Sequence, residues 1–155
     1  MSQNKIALVL LPGAVAVAVG LVSLRMHFQP PTVPAFAIAD AQEEVSVERG
    51  GQFSLEVRPA APFDGAIAAR GFLLRGDDVR PWDPPFSVAA DGTVHIVGAV
   101  DALFAGVPPG SWEIAVAIGR PETLPTAPND VLRAREQAAG ASVSWRLVRE
   151  RIHRG

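Results

Sequence analysis

Two hydrophobic patterns divide the chain. From Ile6 to Leu24 the sequence reads "IALVLLPGAVAVAVGLVSL", apolar on every side and without a charged residue. From Val45 onward, apolar residues recur at every second position instead. "VSVER" alternates through Val45 and Val47, Gly50-Gly51 breaks the run, and "FSLEVRP" resumes it through Phe53, Leu55 and Val57. A period of two is the signature of a strand with one buried face. "AIAARGFLLR" then predicts a more fully apolar strand, turned by "GDD", and "VRPW" a short edge piece, because Pro81 has no N–H to give a central ladder.

The second half continues in the same way. In "FSVAADGTVHIVG", two β-branched runs flank Asp91-Gly92, a dipeptide that accepts positive φ, and together they predict a hairpin. "PPG" (Pro108–Gly110) turns into "WEIAVAIG", which sets Trp112, Ile114, Val116 and Ile118 on one face. "SVSWRLV" does the same with Val143, Trp145 and Leu147. A single helical segment interrupts the strands, "NDVLRAREQAAG", with Asn129 or Asp130 as N-cap and Gly140 at the C-terminal cap. About eight short strands with regular turns and one short helix predict an all-β, immunoglobulin-like antiparallel sandwich over residues 43–155.

The apolar segment 6–24 has the length of a membrane span. At 1.5 Å rise per residue it covers about 28 Å, against about 30 Å of bilayer hydrocarbon. A signal peptide's apolar stretch is shorter and meets its small-x-small cleavage site soon after. Here Arg25-Met26-His27-Phe28 follows first, and Ala35-Phe36-Ala37 lies beyond three prolines. Length and spacing both favour a retained transmembrane helix preceded by a short tail (1–5). Residues 25–42, with Pro30, Pro31 and Pro34, predict a semi-rigid spacer. Ala16 and Gly20 form a small-xxx-small pair through which such helices can associate. The short N-terminal tail places the β domain outside the cytoplasm by default, although Lys5 and Arg25 nearly balance.

Composition narrows the partners. Residues 29–155 hold twelve Lys+Arg against all sixteen Asp+Glu, a net charge of −4, so no basic face for nucleic acid is expected. The absence of cysteine excludes disulfides, thiolate metal sites and a cysteine nucleophile.

Motifs for chemistry are sparse. His27, His95 and His153 are scattered, and neither a Gly-x-Ser-x-Gly elbow nor a His-Glu-x-x-His run occurs. "GVPPGSW" opens a strand where a phosphate loop requires a helix. His95 alternates with Val94 and Ile96 and is expected to face solvent. Asp77, Asp78 and Asp83 in "RGDDVRPWDPP" match no calcium-loop spacing and read as turn formers between Arg75 and Arg80. No catalytic residue, metal or cofactor is therefore predicted.

The candidate partner-binding residues are Trp82 and the C-terminal arginines. Trp82, between prolines, either caps the sandwich or stands in an exposed patch. Arg146, Arg149, Arg151 and Arg154 in "RLVRERIHRG" either form a docking strip for an acidic partner or are the outward charges of a protected edge strand. Trp112 and Trp145 share the apolar parity of their strands and are expected in the core.

The succession "RPWD", "DGTVHI" and "PPGSWEIAVAIGRP" resembles uncharacterised single-pass membrane proteins of large-genome soil bacteria, myxobacteria above all. The resemblance covers roughly residues 45–150. Such proteins are encoded near caspase-like (CHAT-type) peptidases and alternative sigma-factor systems, which implies an accessory role beside a peptidase. The expectation is a membrane-tethered, non-enzymatic interaction or sensing module, anchored in the bilayer through 6–24 and meeting a protein partner. The alternative is an extracytoplasmic carbohydrate-binding or hydrolytic domain using paired carboxylates.

Overall fold

The structure, a computed structural model, describes residues 32–136 and 144–155. The expected span 6–24, its Ala16 and Gly20, and the positions Gly140 and Val143 lie outside the described residues. Among the described residues no helix is long and apolar enough to cross a membrane.

Among the described residues nine strands form two sheets. In chain order they are β1 (Phe36–Ile38), β2 (Val45–Val47), β3 (Gln52–Pro59), β4 (Ala68–Arg75), β5 (Asp78–Trp82), β6 (Phe86–Val88), β7 (Val94–Ala99), β8 (Gly110–Gly119) and β9 (Trp145–Arg154). One sheet has the order β1-β3-β7-β6 and the other β2-β9-β8-β4-β5. All pairings are antiparallel except β2 with β9, which runs parallel, Val45 opposite Ile152 and Val47 opposite Arg154. The all-β sandwich read from the periodicity is thus the observed architecture.

The alternation predicted for the main strands is what builds the core. Phe53, Leu55 and Val57 of β3, Val94 and Ile96 of β7, and Trp112, Ile114, Val116 and Ile118 of β8 are buried between the sheets. The outward residues of β3 and β7 include Glu56, which pairs with Arg58 and lies 3.7 Å from His95. His95 accordingly sits on the outer face. A second, smaller cluster covers the outer face of the five-stranded sheet: Phe72, Leu74, Ala115, Ala117 and Val131 are buried there. This explains why β4 is apolar at consecutive positions, since both of its faces are covered.

The cover is helix α2 (Pro128–Glu136); a one-turn helix α1 (Val100–Leu103) follows β7, and a 3-10 turn spans Pro121–Thr123. The N-terminus of α2 differs from the expected Asn129 or Asp130 cap. Pro128 opens the helix, where its fixed φ suits the first turn and its missing N–H is one that the helix leaves unpaired anyway. Asp130 instead lies in the first turn and pairs with Arg133.

The N-terminal half of the domain also departs from expectation. The second part of the spacer assigned to 25–42 belongs to the sandwich: Val33 is fully buried, and β1 pairs with β3, Phe36 opposite Pro59. Gly50-Gly51 does turn the chain, but between sheets, since β2 lies in one and β3 in the other. The Asp91-Gly92 hairpin forms with Val88 opposite Val94, so the connection is longer than two residues. Asp91 Oδ1 accepts the Thr93 N–H at 2.9 Å and Gly92 takes φ +87°, the left-handed conformation the dipeptide was expected to supply.

Candidate functional site

Strands β8 and β9 pair over ten residues, from Gly110 opposite Arg154 to Gly119 opposite Trp145. Directly opposed residues share a face, so this register sorts the C-terminal arginines. Arg149 and Arg151 lie with Ala115 and Glu113 on the outer face. Arg146 and Arg154 lie with Ile118 and Gly110 on the inner one, together with Glu150 opposite Ile114.

The expected four-arginine strip is therefore two pairs on opposite faces. Arg146 donates two hydrogen bonds to the Val33 carbonyl, at 3.1 and 3.0 Å, and Arg154 donates to the Phe104 carbonyl at 2.8 Å. Arg154 is only 8% exposed. Both guanidiniums fasten neighbouring segments to the sheet, and neither is presented as a docking charge. The strand is also no bare edge, because β2 pairs along its C-terminal end. Trp145 and Leu147 pack beneath α2, while Val148 and Ile152 face the main core.

Trp82 caps the sandwich from within. It is 6% exposed, and its indole N–H donates to the Leu103 carbonyl at 2.7 Å. Its ring stacks on Phe104 at 5.5 Å between centroids. The exposed-patch reading of Trp82 is thereby removed: a buried indole with its only donor engaged has nothing to offer a partner. Trp112 is likewise buried, its ring flanked by Arg75 and Arg80, each 5.3 Å from the centroid. Asp78 pairs with Arg80 at 2.9 Å and Asp77 with Arg135 at 3.5 Å, which accounts for two acids of the "RGDD" turn. Among the described residues no group of three His, Cys, Asp or Glu is arranged to hold a metal ion.

What the geometry does assemble is a polar cavity of about 330 Å3 beside the β8–β9 pair, lined by Gln42, Glu43, Glu113, Arg149, Glu150 and Arg151. It lies toward the Gly110 end of β8, away from Ala115 and Ala117, which α2 covers. Arg149 Nη1 stands 3.7 Å from Glu113 Oε1, close enough for attraction but too long for a hydrogen bond. Glu113 Oε1 and Glu150 Oε1 are both inaccessible to solvent and accept no hydrogen bond. Burial pushes the Glu150 carboxyl above the usual carboxylate range, a rise only partly opposed by the hydrogen bond it accepts from the Gln42 backbone.

Two of the predicted arginines, Arg149 and Arg151, line this cavity; Trp82, Arg146 and Arg154 do not. The sequence reading missed Glu113, Glu150, Gln42 and Glu43. A signal existed for the first: Glu113 is the one charged residue in the otherwise apolar "WEIAVAIG".

Fold and cavity together define a two-sheet β-sandwich with a small, charged recess on the outer face of its five-stranded sheet. No family model matches the chain, and no curated protein matches it. Among solved structures it is similar to murine CRIg, at 9% sequence identity and a TM-score of 0.36, over 77% of this chain and 96% of that one.

Proposed function

We propose that this chain is a non-enzymatic interaction module, immunoglobulin-like in its strand order, whose docking site is the β8–β9 cavity. The observation that carries the reading is the charged recess in which Glu113, Arg149 and Arg151 share the outer face, with the buried Glu113 Oε1 accepting no hydrogen bond. Unmet buried acceptors cost about 1–3 kcal/mol each, a cost that a partner's donors would relieve. The immunoglobulin-like assignment rests on the sheet orders: four strands in one, and in the other a hairpin-extended sheet whose edge strand β2 continues the segment that began in the opposite sheet as β1.

In this reading residues 6–24 tether the module to a membrane with the sandwich outside the cytoplasm. Its resemblance to proteins encoded beside caspase-like peptidases makes it an accessory of such a system. Two experiments test the proposal. Photo-crosslinking in the native host from a photoreactive residue at position 151 should capture a discrete protein, whereas the same residue at position 54, on the opposite sheet, should not. C-terminal fusions to alkaline phosphatase and to a cytosolic reporter test the tether; activity of the cytosolic fusion alone overturns the orientation.

A second reading has one specific observation in its favour. Glu113 and Glu150 both border one cavity, and burial raises the Glu150 carboxyl, as a general acid requires. Hydrolysis of oligosaccharides that disappears in both Glu113→Gln and Glu150→Gln would establish this reading and displace the first.

A further inference from the structure

We propose that the free flank of β9, beside the recess, accepts an extended acidic segment of a partner protein as an added β-strand. This rests on the docking site argued above and supplies the form and charge of what docks there. Strand β8 pairs with all of β9, from Trp145 to Arg154, whereas β2 pairs on the other flank with Ile152–Arg154 alone. The Arg120 N–H donates to the Ser144 carbonyl in line with the β8 ladder, and the Gly155 N–H to the Val47 carbonyl on the β2 side. Successive residues of a strand turn their N–H and C=O groups to opposite flanks, so even-numbered residues of β9 bond to β8 and odd-numbered ones face the β2 side. Past the end of β2, the backbone groups of Leu147 and Arg149 therefore point to a flank that no described strand pairs with.

The recess reaches around this flank. Arg149, Glu150 and Arg151 all line it, and consecutive side chains point to opposite faces, so a hollow touching all three must take in the edge of the strand. A row of unpaired backbone donors and acceptors is a template for a further strand. Three paired residues suffice in this fold, since β1, β2 and β6 have no more.

The side chains select which strand. Arg149 and Arg151 stand exposed on the outer face; Arg149 has only its 3.7 Å contact with Glu113, and Arg151 has no ion pair among the described residues. Glu113 itself lies one strand further in, opposite Arg151. Acidic residues at two outward positions of an added strand sit directly across from these arginines. Between them, on the inner face, Glu150 Oε1 accepts no hydrogen bond, which calls for a donor such as lysine at the inward position. A second copy of this chain fits worse, because two β9 flanks would bring four arginines to one seam.

The test is an NMR titration of the full chain in micelles with Ac-Thr-Glu-Lys-Glu-Thr-amide, whose side chains read the same in either strand direction. Saturable shifts should appear at the amides of Leu147, Arg149 and Arg151. N-methylation at both glutamates blocks one parity of peptide N–H groups, and N-methylation at the lysine and both threonines blocks the other. The parity that faces β9 should lose about tenfold or more in affinity and the other parity little. Ac-Thr-Gln-Lys-Gln-Thr-amide should bind about threefold or more weakly, and Arg151→Ala should weaken the glutamate peptide while leaving the glutamine peptide unchanged. Absence of shifts, equal tolerance of both methylation patterns, or equal binding of the glutamine peptide overturns the proposal. Dimerisation of the chain alone that protects the Leu147 and Arg149 amides from hydrogen exchange also overturns it, giving the flank to a second copy. If crosslinks from position 151 persist after such a result, the docking site stands and strand addition fails; if they vanish as well, the site itself is wrong.

Discussion

Gly71 and Trp82 stand directly opposite one another in the β4–β5 pair, and the indole occupies the space where a side chain at position 71 would lie. A Cβ there would approach the Trp82 carbonyl oxygen to 2.5 Å and its ring Cε3 to 2.8 Å. The ring is pinned from its other side by Phe104, so it has no room to retreat. Gly71→Ala is therefore expected to destabilise by about 1–3 kcal/mol through overpacking. Trp82→Phe should cost a similar amount for a different reason: the buried Leu103 carbonyl loses its 2.7 Å donor. Urea unfolding of the two variants and the wild type measures both; an unchanged midpoint for Gly71→Ala would mean that the strand pair can open without loss.

This pair also shows where the sequence ceases to be legible. Phe53, Leu55 and Val57 announce their strand by alternation alone, because burial of one face needs only local spacing. The burial of Trp82 depends on Gly71 across a turn and on Phe104 more than twenty residues away, and no local pattern encodes that meeting. Strand β1 is hidden because Phe36–Ile38 is three residues long and follows a run of prolines. The inner-face placement of Arg146, Glu150 and Arg154 escapes for another reason. Charged residues are ordinarily read as outward, whereas these three sit at the flank of the sheet and find partners in the Val33 carbonyl, the Gln42 N–H and the Phe104 carbonyl, with Glu150 Oε1 and Arg154 Nε left unpaired. Within the cavity, Glu113, Arg149 and Arg151 were each legible as outward positions. Their assembly with Gln42 and Glu43 was not, since it requires the β8–β9 register and the course of the chain into β2.

The raised carboxyl of Glu150 gives a signed pH dependence. The folded state disfavours its ionised form, so between the unfolded value of 4.5 and the higher folded value the native chain binds more protons than the unfolded one. Stability therefore falls as pH rises through that window and the penalty is complete above it. Glu150→Gln removes the titration and keeps an oxygen for the Gln42 N–H. The difference in Tm between variant and wild type should accordingly grow in the variant's favour from acid to neutral pH. A difference independent of pH would mean that Glu150 titrates alike in both states.

Asp91 has the opposite sign. Its carboxylate accepts the Thr93 backbone N–H and the Thr93 hydroxyl, which hold it below the ordinary value of 3.8. A carboxyl depressed in the folded state contributes stability above the unfolded pKa and loses it as pH falls through the folded one. Asp91→Asn keeps the turn geometry without the charge. Wild type should exceed this variant in stability at neutral pH and converge on it in strong acid, as followed by tryptophan fluorescence during acid titration.

Helix α2 is held by two unequal contacts, and their magnitudes decide which matters. Arg135 reaches the Gly76 carbonyl at 2.8 Å and Asp77 at 3.5 Å, but Asp77 is 94% exposed, and an ion pair so well solvated contributes about 0–1 kcal/mol. Val131 is fully buried against Phe72, Leu74, Ala115 and Ala117, and truncating it removes both apolar transfer energy and packing, about 2 kcal/mol. Val131→Ala should thus destabilise clearly more than Arg135→Ala in thermal unfolding. Val131→Asp goes further, because a charge cannot be buried there without a partner and the helix must leave the sheet. That exposes a contiguous apolar face, so the variant should self-associate with rising concentration in analytical ultracentrifugation. If Val131→Asp keeps both the wild-type Tm and the wild-type sedimentation, the helix is not what shields this sheet.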